Sequence, residues 1–437
     1  MTNTDNAPPL TGWQITLFFV PLLLNVQLMS VSHTIINAAL ARVDNYIIAL
    51  ASFSVAMVVH LLFASPSYQN HTITIAIVRG RKSLRGMVVC VLLIATYVSI
   101  MLNIIAYTSL GNMFLQHILG VSAEVAAGAQ RTLTLLALLP FVTGFRGLFQ
   151  GLVIRARHTN LVSLATGVRV VALLGWLYVG KRWFHGPELG AFALLLCIVI
   201  ETALMGFFAW RCHIPFDGDT IPAGGEKGTM QILRFALPVA FSSGLQQTIP
   251  VVISAIISRL PDANIALAAF GVIRALLFML AGPMRNLQQV YLTLVNSAAD
   301  YRAVVRFYWY TSLIMGILTL LIALPGNELV FGGIFDLKAD MRNYIVLPLC
   351  LCALFPVAYG GTNLLRAGFT AHHRTTVLGQ ATTVKFAYLL LCWLLSLAVP
   401  VAIPGILLAI FLLISAEIAE GCFLRYKRGR LIPTERY

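Results

Sequence analysis

Charge is what this chain has least of. Asp, Glu, Lys and Arg make up 11% of its 437 residues, and only 16 are acidic against 30 basic, where soluble domains carry about 25% charge. Too little charge remains to cover a water-facing surface, which excludes an ordinary soluble enzyme or binding module. No GxxxxGK[ST] loop occurs, so an ATP-driven pump built on that phosphate cradle is excluded. HExxH and paired carboxylates at membrane depth are missing, which leaves an embedded enzyme without an acid/base or metal constellation; no cofactor and no metal are expected. The 7 cysteines make no CxxC and are odd in number, so they read as core packing. Met1 to Leu10 lack a basic n-region and a cleavage site, and the first apolar segment is expected to be a retained span.

What the chain has is hydrophobicity, 59% of residues with a mean hydropathy of +0.86. A spanning helix needs about 20 mainly apolar residues. About twelve such segments are expected, near residues 14–39, 46–78, 86–107, 126–152, 160–180, 189–210, 230–257, 264–297, 304–324, 341–369, 376–399 and 402–424. The chain also occurs twice. Val20-Pro21, Arg42, Leu50-Ala51-Ser52-Phe53, Ser65-Pro66 and Arg85 reappear as Leu237-Pro238, Arg259, Leu267-Ala268-Ala269-Phe270, Gly282-Pro283 and Arg302 at one constant spacing. Such duplication in a hydrophobic chain is the mark of a repeated membrane transporter. The fold expected is therefore all-α and polytopic, with two parallel six-helix lobes related by a pseudo-two-fold axis along the membrane normal. A polar tail (1–13), an N-lobe (14–213), a cytoplasmic linker (214–229), a C-lobe (230–424) and a basic C-tail (425–437) divide the chain.

Basic residues set the orientation, because basic loops stay on the cytoplasmic side. Arg79, Arg81, Lys82 and Arg85, Arg155 and Arg157, Arg211 and Lys227, Arg302 and Arg306, Arg374, and Arg425, Lys427, Arg428 and Arg430 all follow even-numbered spans. Both termini are expected in the cytoplasm, in the inner membrane if the cell is bacterial. The net charge of +14 belongs to these loops facing anionic lipid rather than to nucleic-acid binding. Asp217 and Asp219 in the linker have DxD spacing, yet in a short Gly/Pro loop they read as solvated acids.

Polar residues at membrane depth carry the chemistry, since a charge there costs several kcal/mol unless it is paired or faces water. At 1.5 Å per residue Arg146 lies roughly 13 Å and Arg169 roughly 12 Å inside the cytoplasmic ends of their spans, and Arg274 roughly 15 Å from the outer end of span eight, with Arg285 about three turns further on the same face. Thr362 and, a turn on, Arg366 answer Arg146 in the second copy, and Lys385 answers Arg169. Glu201 and Glu417 match as well. Glu201 is expected to pair with Arg169 and Glu417 with Lys385, either as structural pairs or as groups coupling a proton or ion. Arg146, Arg366 and Arg274 are then left without an acid, and either bond helix carbonyls or face a cavity that accepts an anion. Pro66 and Pro283 must break the long spans two and eight, as packing kinks or as hinges. Beside them Tyr68, Gln69 and Asn70, and Asn286, Gln288 and Gln289, add polarity. Asn25, Gln27, His33 and Asn37 do the same for the first span. His60 reads as a packed, hydrogen-bonded residue.

Two six-helix lobes with long second and eighth spans resemble the multidrug/oligosaccharidyl-lipid/polysaccharide (MOP) flippase superfamily, which includes the MATE exporters. Leu50-Ala51-Ser52-Phe53 leading to Ser65-Pro66, Leu139-Pro140-Phe141 followed by Gln150-Gly151-Leu152, and Phe235-Ala236-Leu237-Pro238 are most similar to the progressive ankylosis protein group. The resemblance implies a V-shaped alternating-access exporter, and the group is associated with efflux of pyrophosphate, nucleotide or citrate. A monomer drawing on an ion or substrate gradient, with proton or sodium as the coupling ion, is expected. Cation exporters of the MATE type commonly carry an acid in the first span; none lies between Gln14 and Leu40. The expected function is export of a small polyanion through a central cavity, with Arg146, Arg274, Arg366, Arg285, Gln69, Asn70 and Asn286 as candidate binding residues. A flippase for a lipid-linked pyrophosphoryl saccharide and a MATE-type cation antiporter are the alternatives.

Overall fold

The computed structural model describes residues 10–118, 121–212, 225–257, 259–334, 339–398 and 403–431, and these contain helices and no strand. Asp217 and Asp219 of the expected linker lie outside the described residues. The helices are α1 (Gly12–Leu40), α2 (Tyr46–Ala64), α3 (Asn70–Ile77), α4 (Arg81–Tyr107), α5 (Ser109–Met113), α6 (Ala123–Leu136), α7 (Leu139–Arg155), α8 (Thr159–Gly180) and α9 (Glu188–Arg211). The second copy gives α10 (Thr229–Ile257), α11 (Ala263–Ala281), α12 (Leu287–Leu294), α13 (Ala298–Ala323), α14 (Ala339–Leu351), α15 (Phe355–Ala371), α16 (Thr376–Ala398) and α17 (Gly405–Leu431). Among the described residues, ten helical stretches are long and apolar enough to cross a membrane, and twelve when each of two bent pairs counts as one span.

The breaks fall where proline stands. Pro66 has no N–H to give the Leu62 carbonyl, which instead accepts the Ser65 hydroxyl at 3.4 Å. The chain passes into a 3-10 turn, Ser67–Gln69, and the stretches on either side meet at 62°. Pro283 opens a longer 3-10 turn, Gly282–Asn286, but there the stretch Ile265–Leu294 continues as one 30-residue span. Pro140, at the start of α7, marks the other bend, 44° from α6.

Two compact units emerge. One is Val20–Gly244; the other combines Met1–Phe19 with Leu245–Tyr437, so α1 and α10 are each divided between the two. The core of the first gathers Ile36, Phe53, Leu102, Leu133 and Leu173, and that of the second Ile253, Phe270, Leu349, Leu389 and Ile410. In the first unit α7 lies close against α3 because small residues allow it. A Cβ on Gly147 would stand 3.0 Å from the Asn70 Cβ, and one on Gly151 would stand 2.8 Å from the His71 carbonyl oxygen.

Glu226 and Asp262 hold helix ends. Glu226, just before α10, accepts from the Ser83 amide at 2.8 Å and so tops the first turn of α4. Asp262 accepts from the Tyr344 hydroxyl and from the Gly405 amide, the latter at 2.8 Å, and ties the starts of α11 and α17 to α14.

Candidate functional site

Ionisable side chains inside each unit come from matched helices, α7, α8 and α9 in the first and α15, α16 and α17 in the second. In the first unit Glu201 stands on α9 between two arginines. Its Oε2 is 3.2 Å from Nη1 of Arg169 and 3.3 Å from Nη1 of Arg146. Arg169 also donates to the Ser32 hydroxyl at 2.9 Å. The Thr166 hydroxyl lies 2.8 Å from Glu201 Oε1 and 2.7 Å from Asn25 Oδ1. With a single proton it donates to one and accepts from the other if the amide is turned. All three charged groups are buried, Arg146 at 6% exposure and Arg169 and Glu201 at 2%. Arg146 was expected to lack an acid; it shares the one carboxylate that Arg169 uses. One acid serving two arginines leaves the interior of this unit with an excess positive charge among its described buried residues. Both Nε atoms remain buried without an acceptor there.

The second unit closes its charges. Lys385 bonds Glu417 and lies 3.2 Å from Glu420, and Glu420 in turn takes Arg366. Arg366 was also expected to be without an acid, and Glu420 corrects that. Its Nη1 further donates to Thr382 at 3.3 Å. Glu420 follows Glu417 by three residues on the same face of α17, a spacing legible in the chain, and the two form a buried carboxylate pair on Lys385 where no paired carboxylates were expected. It escapes a reading guided by the repeat, because Leu204 occupies the matched place in the first copy and Gln150 matches Arg366. The second copy thus carries a base and an acid that the first lacks, while Thr362, at the place of Arg146, bonds the Glu417 carbonyl at 3.3 Å.

Other candidates are placed as follows. Arg274 on α11 and Arg285 in the 3-10 turn are exposed on the second unit, and neither meets an acidic side chain among the described residues. Gln69 donates to Ser243 at 3.3 Å, and Ser243 to the Ser65 carbonyl at 3.1 Å, so the Pro66 break is laced to α10. Asn70 is buried, and neither its amide nitrogen nor its oxygen has a partner among the described residues. Asn286 is buried too; its oxygen accepts from Gln289 at 3.3 Å and its nitrogen is left open. Gln288 reaches Asn363 at 2.8 Å. His60 is buried with Nε2 3.3 Å from the Tyr68 hydroxyl.

The fold is that of a MOP-superfamily membrane transporter. A MOP superfamily transporter from Pyrococcus furiosus superposes with a TM-score of 0.73 at 14% identity, covering 97% of each chain. The Vibrio cholerae MATE transporter VcmN in its bent form gives 0.69 at 16% identity over 95% of this chain and 98% of that one. The eukaryotic MATE transporter AtDTX14 gives 0.67 at 15% identity over 96% of each. Within that class the family model for the progressive ankylosis protein (ANKH) matches residues 5–259, and the chain belongs to this family. It is an integral, multi-pass transporter rather than an enzyme.

Proposed function

We propose that the protein is a secondary transporter that exports a small polyanion of the citrate, pyrophosphate or nucleotide class. The observation that carries this reading is the buried excess of arginine over acid around Glu201. A guanidinium fork in a low-dielectric site binds carboxylate or phosphate bidentately, and two of them with one acid are complete only when a further anion arrives. Arg274 and Arg285, exposed and without acid partners, extend the positive character to the second unit. The Pyrococcus transporter is described as having a binding pocket of reverse polarity that suggests a different function; a chain whose α1 holds no acid and whose first unit holds more buried arginine than acid fits a pocket of that kind.

Glu201 and the cargo compete for Arg146 in this mechanism. A proton or sodium ion that neutralises Glu201 frees Arg146 for the anion, and anion release returns Arg146 to the carboxylate. Cytoplasmic termini follow from the basic loops at the ends of the even-numbered spans, and the export direction from the resemblance to the progressive ankylosis protein group.

Flux in proteoliposomes tests the reading, with labelled citrate, pyrophosphate, ATP and a cationic dye offered to wild type and Arg146→Gln under proton or sodium gradients. The expected result is anion movement that falls at least tenfold in the variant, since a charged hydrogen bond is worth about 1.5–3 kcal/mol. Dye movement without anion movement would overturn it in favour of cation antiport. No movement of any soluble compound would transfer the assignment to a lipid-linked pyrophosphoryl head group.

A further inference from the structure

The second unit contains a groove of about 620 Å³ that the transport reading does not use. α15 packs against both α13 and α17 and forms its floor, and Gly361 and Ala358 keep that floor low. The groove runs inward from the end where α13 begins and α15 and α17 finish, a common end of three helices long and apolar enough to span a membrane.

Its two ends differ in chemistry. At the surface end stand Arg425 and Arg428, three residues apart on the last turns of α17. Among the described residues no acid pairs with either. Asp300, beside Tyr301 at the start of α13, is already occupied: it accepts from the amides of Leu10 at 3.1 Å, Asn296 at 3.2 Å and Ser297 at 3.1 Å. Arg428 is held rather than loose, donating to the Tyr301 hydroxyl at 2.6 Å with its guanidinium 4.9 Å from that ring. Further in, Val305, Trp309, Leu365 and Ile418 make the walls mostly apolar, and Thr362 and Glu417, the latter paired with Lys385, line the groove as well. A soluble anion would be satisfied by the arginines and gain nothing from the apolar length behind them. A molecule with a phosphate at one end and a hydrocarbon chain at the other uses both.

We propose that this groove binds one anionic phospholipid, its phosphate between Arg425 and Arg428 and an acyl chain laid along Trp309, Val305 and Ile418. Basic pockets between helices at the membrane surface recognise anionic head groups in this way, and the volume is in the range of a specific ligand site. The aromatic ring of Tyr301 fixes one arginine at the depth where a lipid phosphate lies.

The test is binding of a fluorescent phosphatidylglycerol to the full-length protein in a neutral detergent, with phosphatidylcholine of the same chains as reference. Phosphatidylglycerol should bind more tightly than phosphatidylcholine. Arg425→Gln and Arg428→Gln should each weaken it about fivefold, and Arg425→Lys should retain most of the affinity. Trp309→Ala should weaken the lipid while leaving any competition by inorganic phosphate unchanged. Equal binding of the two lipids, or an undiminished affinity in the double Gln variant, would overturn the proposal. Displacement by inorganic phosphate as effective as by phosphatidylglycerol, with no effect of Trp309→Ala, would make it a free-anion site instead. The arginines lie on the surface turns of α17, and a monodisperse elution profile separates loss of binding from loss of fold.

Discussion

At Glu201 one carboxylate serves two guanidinium groups and a threonine, which its two oxygens and roughly four acceptor directions allow. The depth count along α7, α8 and α9 already brought Arg146, Arg169 and Glu201 to one level, so the contact of Glu201 with Arg169 was readable in the chain. What the count could not supply was sharing. Assigning one base per acid left Arg146 free, and ignoring Glu420, which has no acidic counterpart in the first copy, left Arg366 free. The excess charge around Glu201 makes a definite expectation. Glu201→Gln leaves two buried arginines uncompensated and should cost about 3–5 kcal/mol of stability. Thermal unfolding in detergent measures it, and the anionic cargo should then raise the melting temperature of the variant more than that of wild type, because the anion takes the place of the carboxylate. Equal stabilisation of the two proteins would separate Glu201 from the binding step.

Helices and their breaks follow from simpler rules. Long apolar runs located the spans, and two prolines located two breaks, but the difference between the copies was not visible. Both copies contain the same Pro at the same place, and only the three-dimensional surroundings, a Ser65–Gln69–Ser243 lacing on one side and a five-residue 3-10 turn on the other, make one bend 62° while the other runs on. Restoring the missing N–H with Pro66→Ala should raise the melting temperature, since a proline inside a helix costs about 3 kcal/mol. If the bend acts as a hinge, transport falls in the same variant; an unchanged rate would make it a packing feature.

A second expectation concerns the helix ends tied by Asp262. Burial pushes its carboxyl up, but the hydrogen bonds from the Tyr344 hydroxyl and the Gly405 amide outweigh this and hold it below the ordinary aspartate value. A depressed folded value means that the stabilisation is complete above the unfolded pKa, near 4, and disappears as pH falls through the lower folded value. Asp262→Asn should therefore lower stability by about 1–2 kcal/mol at pH 7 and flatten the acid limb of the stability profile. A wild-type and variant pair that lose stability in parallel on acidification would show that the knot does not depend on this charge.

For the whole molecule, duplication and hydropathy were enough to reach the transporter class, because a bilayer leaves few ways to satisfy backbone groups and each span must announce itself by length. The two copies have diverged where their interiors carry charge. One interior is balanced among Arg366, Lys385, Glu417 and Glu420; the other holds Arg146 and Arg169 against Glu201 alone.

That imbalance turns the carrier into an electrical element. A membrane potential exerts about 2.3 kcal/mol per elementary charge per 100 mV on anything that moves through it. With its interior unneutralised, the empty protein should feel this force during any step that shifts α7, α8 and α9 across the field, and on the polyanion reading a bound cargo should change the charge that moves. Voltage-clamped planar membranes should then show a transient current in the absence of cargo that changes as the anion is added and is lost in Arg146→Gln. The resting voltage of the membrane would act on the return of the unloaded form, so that, for a cargo of the class proposed above, the cell's own electrical state sets how quickly the next molecule can be taken.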